Sequence, residues 1–153
     1  MAKKLTKAQI KDINFQYLPR LTVNNADEYL QKSAARSARL RKKIACQIDV
    51  PYGDTPGQTL DIFPAARKDA PVHVFIHGGY WRSLDKDTYS HIAGPMVAAG
   101  ATVVLPNYDL CPQVRITDNV HHMRRAIAWV YMHIAKHNSE PKRIDVSGHS
   151  PRR

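Results

Sequence analysis

The sequence predicts an α/β fold, a mainly parallel sheet with helices on both faces, and three patterns carry that expectation. Two short strands are joined by a turn-rich segment, buried-type strands then alternate with helix-period segments, and glycine or proline punctuates the junctions. With 153 residues, 43% hydrophobic and 24% charged, the chain has the composition of one soluble globular domain and the length to bury a core.

Residues 1–43 read as a basic helical N-terminal extension. Eleven Lys and Arg stand there against Asp12, Asp27 and Glu28, whereas residues 44–150 are neutral and Arg152 with Arg153 complete the net charge of +10. The stretch Ser33-Ala-Ala-Arg-Ser-Ala-Arg-Leu-Arg-Lys-Lys43 resembles the end of a helix whose cations complement the dipole at its C-terminus. A solvated helix face is the simpler reading of that charge. Nucleic-acid binding is the weaker one, because no aromatic side chains interleave with the cations as stacking platforms.

A second unit spans 44–153. Ile44 to Val50 and Thr59 to Phe63 read as an antiparallel opening pair around Pro51-Tyr-Gly-Asp-Thr-Pro-Gly57. Val72-His-Val-Phe-Ile76, entered through Pro71 and left through Gly78-Gly79, reads as a buried strand. Asp87 to Ala99 can form a helix that Pro95 shortens and Gly100 stops, followed by a second buried strand from Thr102 to Leu105. A clear helix starts at Thr117 or Asp118, either able to cap it, and carries Val120, Met123, Ile127, Val130 and Ile134 on one face. Ser139 and Pro141 end it, and Arg143 to Ser147 forms a fifth strand.

Two motifs stand at the C-terminal ends of buried strands. His77-Gly-Gly-Tyr-Trp81 follows the third strand, and glycines there let the backbone turn sharply with N–H groups left free to face a bound oxygen. Ser147-Gly-His-Ser150 follows the fifth and matches the first part of the G-x-S-x-G turn that exposes a nucleophilic serine. Together they are far more specific than either alone. No cofactor and no metal are called for: His133 and His137 stand one helical turn apart, but Ile134 occupies the position where H-E-x-x-H needs Glu. His91, His121 and His122 read as exposed helix residues. Cys46 and Cys111 form no Cys-x-x-Cys pair and are expected to be reduced. Nothing reads as a signal peptide or membrane span, so a cytoplasmic location without membrane partners is expected.

On these motifs the chain resembles the α/β-hydrolase superfamily, and within it the esterases and the kynurenine formamidase-like (arylformamidase) proteins. Further stretches share in the likeness: Tyr17-Leu-Pro-Arg20, Ser33-Ala-Ala-Arg-Ser37, Val50-Pro-Tyr-Gly53 with Leu60-Asp-Ile-Phe-Pro64, and Asn107-Tyr-Asp-Leu-Cys-Pro112. The resemblance implies an α/β-hydrolase fold reaching its fifth strand and a serine hydrolase of small amides or esters, such as N-formylkynurenine. It implies Ser150 as nucleophile, the Gly79 and Tyr80 backbone N–H groups as oxyanion donors, and His77, Gly78, Gly148 and His149 as motif positions. Trp81 would line the substrate pocket or pack.

One departure stands out. After Ser150 the family pattern continues with a small residue and glycine, whereas this sequence reads Pro151-Arg-Arg153. Proline has no N–H to donate to an oxyanion and restricts the residue before it. The superfamily places its acid and histidine downstream of the serine, so the expectation is a chain that stops before its catalytic machinery is complete and lacks activity. Its uncovered sheet edge would invite self-association. A non-catalytic hydrolase-like binding domain, or a carboxylesterase-type fragment, is the alternative.

Overall fold

The computed structural model describes residues 4–18 and 21–149. Five strands, β1 (Gln47–Pro51), β2 (Thr59–Phe63), β3 (Ala70–Ile76), β4 (Thr102–Pro106) and β5 (Ser139–Gly148), form one sheet in the order β1-β2-β4-β3-β5. β2 is antiparallel to β1 and β4, while β3 runs parallel to β4 and β5. The expected α/β class and the antiparallel opening pair are both present, in a mixed sheet whose three parallel strands lie together on the β5 side.

The described residues form four α-helices, α1 (Lys7–Tyr17), α2 (Ala26–Arg41), α3 (Ala93–Ala98) and α4 (Ile116–His133), of which α2, α3 and α4 pack against the sheet. Alternation along β2 and β3 sends side chains to two cores. On one face Leu60, Ile62, Val72, Val74 and Val104 pack under Ala126, Val130 and Ile134. On the other, Phe63, Val103 and Leu105 meet Ala93, Leu40 of α2 and Met96 and Val97 of α3. β4 is buried along its whole length, as its unbroken apolar run requires.

Several boundaries differ from the sequence expectation for local reasons. The first strand begins at Gln47 rather than Ile44, because the N–H groups of Lys43 and Ile44 close the end of α2 on the Leu40 carbonyl. Residues 87–99 are two pieces, a 3-10 helix over Lys86–Ile92 and then α3. Asp85 caps the first by accepting from Thr88 N–H at 3.2 Å, and Pro95 sits in the first turn of α3, where its missing N–H costs nothing. α4 starts at Ile116, so neither Thr117 nor Asp118 is its cap; the Asp118 carboxylate reaches back to accept from Arg115 N–H at 2.8 Å. Its sheet-facing residues are Asn119, Ala126 and Val130, and Val120 is 53% exposed. β5 begins at Ser139, with a register shift between its pairings Ala70↔Ser139 and Val72↔Ile144.

α1 buries no residue, whereas α2 is docked. The buried Ser37 hydroxyl donates to the Thr88 carbonyl at 2.9 Å and accepts from His91 N–H at 3.0 Å. His91 is therefore half-buried rather than exposed, and His122, with 12% of its side chain exposed beside Asp109, is also largely covered. A charged cluster holds the same region. Lys86 Nζ lies 2.6 Å from Asp49, 2.9 Å from Asp61 and 3.1 Å from Asp87, and Arg41 reaches Asp87 at 3.1 Å. Burial works to lower the Lys86 pKa, but its hydrogen bonds to Asp49, Asp61 and Asp87 outweigh this and hold it above the ordinary lysine range.

Candidate active site

β3 and β5 are adjacent and parallel, and their register continues to Ile76↔Gly148. The two sequence motifs therefore leave the sheet side by side, at the strand ends where open α/β sheets place their ligands. The bond from His149 N–H to the Ile76 carbonyl, 3.0 Å, extends this contact one residue beyond β5. A Cβ on Gly78 would lie 2.6 Å from the His149 carbonyl oxygen, so only glycine allows the two turns to approach so closely. Ser150 lies outside the described residues.

The segment after His77 is a left-handed turn. Gly79 has φ +125°, Tyr80 and Trp81 both 56°, and Leu84 67°. For side chains this bulky the left-handed region costs about 1–3 kcal/mol per residue, so surrounding contacts must enforce it. The Gly79 carbonyl accepts from Arg82 N–H and Ser83 N–H, each at 3.1 Å, and from the Ser83 hydroxyl at 2.9 Å. The Trp81 carbonyl accepts from Cys111 N–H at 2.7 Å. The N–H groups of Gly79 and Tyr80 have no acceptor among the described residues.

His77 is the buttress of this turn. It is 3% exposed, stacks on Tyr108 with ring centroids 4.3 Å apart, and has Tyr89 on its other side at 6.2 Å. Its Nδ1 contacts the Gly78 carbonyl at 2.7 Å and its Nε2 contacts the Asn107 side-chain amide at 2.8 Å. Burial lowers its pKa, which favours a neutral ring. A neutral ring donates from one nitrogen only, so it bonds either the Gly78 carbonyl through Nδ1–H or Asn107 Oδ1 through Nε2–H. With an oxygen against each nitrogen, His77 is not available as a general base. Tyr108 OH donates to the His77 carbonyl at 2.9 Å, and Tyr52 OH donates to the Asn107 carbonyl at 2.5 Å.

Trp81 lies with Ile76, His77, Tyr108, Asn119 and Met123 around a cavity of about 540 Å³. The structure thus brings His77, Gly78, Gly79, Trp81, Gly148 and His149 together, while the Tyr80 side chain points to solvent at 47% exposure. Tyr89 and Ser83 were not singled out by sequence reasoning, and Asn107 and Tyr108 entered it only as part of the stretch Asn107-Tyr-Asp-Leu-Cys-Pro112 that carries the family likeness, with no role in the site. A signal existed for two of them: Asn107-Tyr108 leaves β4 as His77-Gly78 leaves β3, and neighbouring parallel strands deliver their exit residues to one place. Among the described residues no group of three His, Cys, Asp or Glu is arranged to hold a metal ion. Both cysteines are free thiols, and among the described residues no helix is long and apolar enough to cross a membrane.

Residues 60–151, from β2 through the second motif, match the family described as BD-FAE. The chain belongs to this α/β-hydrolase family. Among the curated relatives, kynurenine formamidase of Danio rerio is 33% identical over 129 residues, covering 78% of this chain and 43% of the relative. Esterase LipQ of Mycobacterium tuberculosis is 30% identical over 118 residues, covering 72% and 28%. A solved protein from Silicibacter sp. TM1040, described provisionally as a thioesterase, superposes with a TM-score of 0.74 at 29% identity, over 89% of this chain and 48% of that one. The chain spans less than half the length of the curated relatives it matches.

Proposed function

We propose that the protein is a serine hydrolase of small amides or esters, arylformamidase-like, acting on substrates such as N-formylkynurenine in the cytoplasm without cofactor or metal. Ser150 is its nucleophile. The observation that carries this reading is the pair of N–H groups on Gly79 and Tyr80 that meet no acceptor among the described residues, one strand away from the end of β5 that leads into Ser150.

Attack of Ser150 Oγ on the substrate carbonyl carbon turns the carbonyl oxygen into an oxyanion, the Oγ proton passing to the histidine that the superfamily places downstream of its serine. Collapse of that adduct hands the proton to the departing amine or alcohol and leaves an acyl-serine for water to hydrolyse. The Gly79 and Tyr80 N–H groups stabilise the oxyanion, each such donor typically contributing about 2.7–4 kcal/mol. Because Pro151 brings no N–H, these two donors bear the whole task. Trp81 and Tyr108 supply the apolar wall against which an aryl or acyl group rests. Family membership and the likeness to kynurenine formamidases and esterases support the reaction class.

The test is hydrolysis of N-formylkynurenine and of a p-nitrophenyl ester by the purified protein beside Ser150→Ala. Turnover that disappears in the variant would support the assignment and overturn the expectation of an inactive chain. Equal rates above the uncatalysed reaction for the two proteins would overturn the assignment.

A further inference from the structure

We propose that Ser83 is a positioning residue of the oxyanion turn, its hydroxyl clamping the Gly79 carbonyl so that the Tyr80 N–H is aimed outward at the substrate oxygen. This rests on the hydrolase reading above and adds to it a residue outside both sequence motifs.

The argument begins with peptide planarity. In a trans peptide the carbonyl and the following N–H point in opposite directions, so fixing the Gly79 oxygen fixes the Tyr80 hydrogen. Three donors converge on that oxygen: Arg82 N–H, Ser83 N–H and Ser83 Oγ–H, at 3.1, 3.1 and 2.9 Å. Each draws the carbonyl into the turn and drives Tyr80 N–H to the opposite side, where no acceptor among the described residues meets it.

A clamp is needed because the turn opposes its own sequence. Tyr80 and Trp81, both at φ 56°, occupy the two central positions of a turn that normally takes glycine or asparagine there. Rotation of the Gly79–Tyr80 peptide plane is the natural relaxation, and it would turn Tyr80 N–H away from the substrate. The Arg82 and Ser83 amides close the turn whatever side chain stands at 83. The hydroxyl is the donor that a side-chain truncation removes without touching the backbone, and Ser83 is exposed, so its loss creates no cavity.

The experiment compares wild type, Ser83→Ala and Ser83→Thr by ester hydrolysis and by the NMR shifts of the Gly79 carbonyl carbon and the Tyr80 amide nitrogen. Loss of one hydrogen bond in a site that acts only in the transition state should lower kcat about 3- to 10-fold with KM unchanged. Ser83→Ala should displace both resonances, and Ser83→Thr, which keeps the hydroxyl, should restore kcat and the resonances together. Unchanged resonances in Ser83→Ala, or a kcat loss that threonine does not rescue, would overturn the proposal. If wild type shows no Ser150-dependent turnover, the hydrolase reading fails, and the two resonances alone decide whether Ser83 fixes the peptide.

Discussion

Replacing Lys86 by Met should expose how much the buried charge cluster carries. Lys86 has 4% of its side chain exposed and Asp61 none. In Lys86→Met the Asp61 carboxylate keeps only the Asp49 N–H, at 3.0 Å, and its Oδ2 has no partner even in the wild type. A buried charge deprived of its counterion costs about 3–5 kcal/mol, a large share of the 5–15 kcal/mol typical of a whole domain. Asp49 and Asp87 add little to that figure, because they are 66% and 51% exposed and rehydrate. Urea denaturation followed by tryptophan fluorescence should show the loss at pH 7. Adding Asp61→Leu should recover most of it, leaving about 1–2 kcal/mol for the orphaned Asp49 N–H. The penalty should also shrink on acidification. Burial pushes the Asp61 carboxyl up, and without Lys86 little opposes it, so the folded state binds a proton at a pH where the unfolded chain does not, and stability rises as pH falls toward the ordinary aspartate range. A double variant no more stable than Lys86→Met, or a penalty that grows in acid, would refute this account.

Gly79→Ala should destabilise the protein by about 1–3 kcal/mol in thermal unfolding, since φ +125° is closed to alanine and the new Cβ would collide with the Ser83 carbonyl; a neutral effect would mean the turn is not held as described. His77, whose pKa is lowered by burial, takes its proton later than in the unfolded chain. Its contribution to stability is therefore complete above the ordinary value near 6.5 and is lost as pH falls below it, so the urea midpoint should drop between pH 7 and 5 and do so less in His77→Gln. Asp87, with its pKa lowered because Lys86 and Arg41 outweigh burial, loses its contribution only at lower pH, which separates the two effects. Finally, Val146 is 49% exposed beside Met132 at 65% and Tyr131 at 55%, on the open edge of the sheet; sedimentation velocity should show concentration-dependent self-association that Val146→Lys reduces, and an unaltered profile would argue against that edge as the contact.

The parts of the fold legible in the sequence are those in which one residue decides one thing. Gly100 at φ 88° ends α3, Pro95 shortens it, and the β-branched run from Thr102 is buried on both faces as β4. Periodicity held for part of the face of α4: Val130 and Ile134 are buried in the sheet core with Met123 packed against it, whereas Val120, 53% exposed, and Ile127 line the cavity beside β5. Hydrophobic spacing identifies an apolar stripe and says nothing of which neighbour covers it. In the site, glycine spacing pointed to the turns, but the support of His77 by Asn107, Tyr108 and Tyr89 depends on three-dimensional neighbours, two after β4 and one in the 3-10 helix. The Lys86 cluster was hidden for the same reason, since Asp49, Asp61 and Lys86 are scattered along the chain.

The irregular pairing between β3 and β5 has a consequence for how such a chain can vary. Three residues of β3, from Ala70 to Val72, are matched by six of β5, from Ser139 to Ile144, whereas from Val72↔Ile144 to Ile76↔Gly148 the ladder keeps step. All of the slack lies at the end remote from the two motifs. A residue gained or lost around Pro141 is taken up there as a wider or narrower bulge, and the distance between the exits of the two strands is untouched. The same change beyond Ile144 would slide one exit past the other by about 3.3 Å and reverse the faces of the side chains between. Tolerance to insertion should therefore fall abruptly along β5, permissive at its start and forbidding near Gly148.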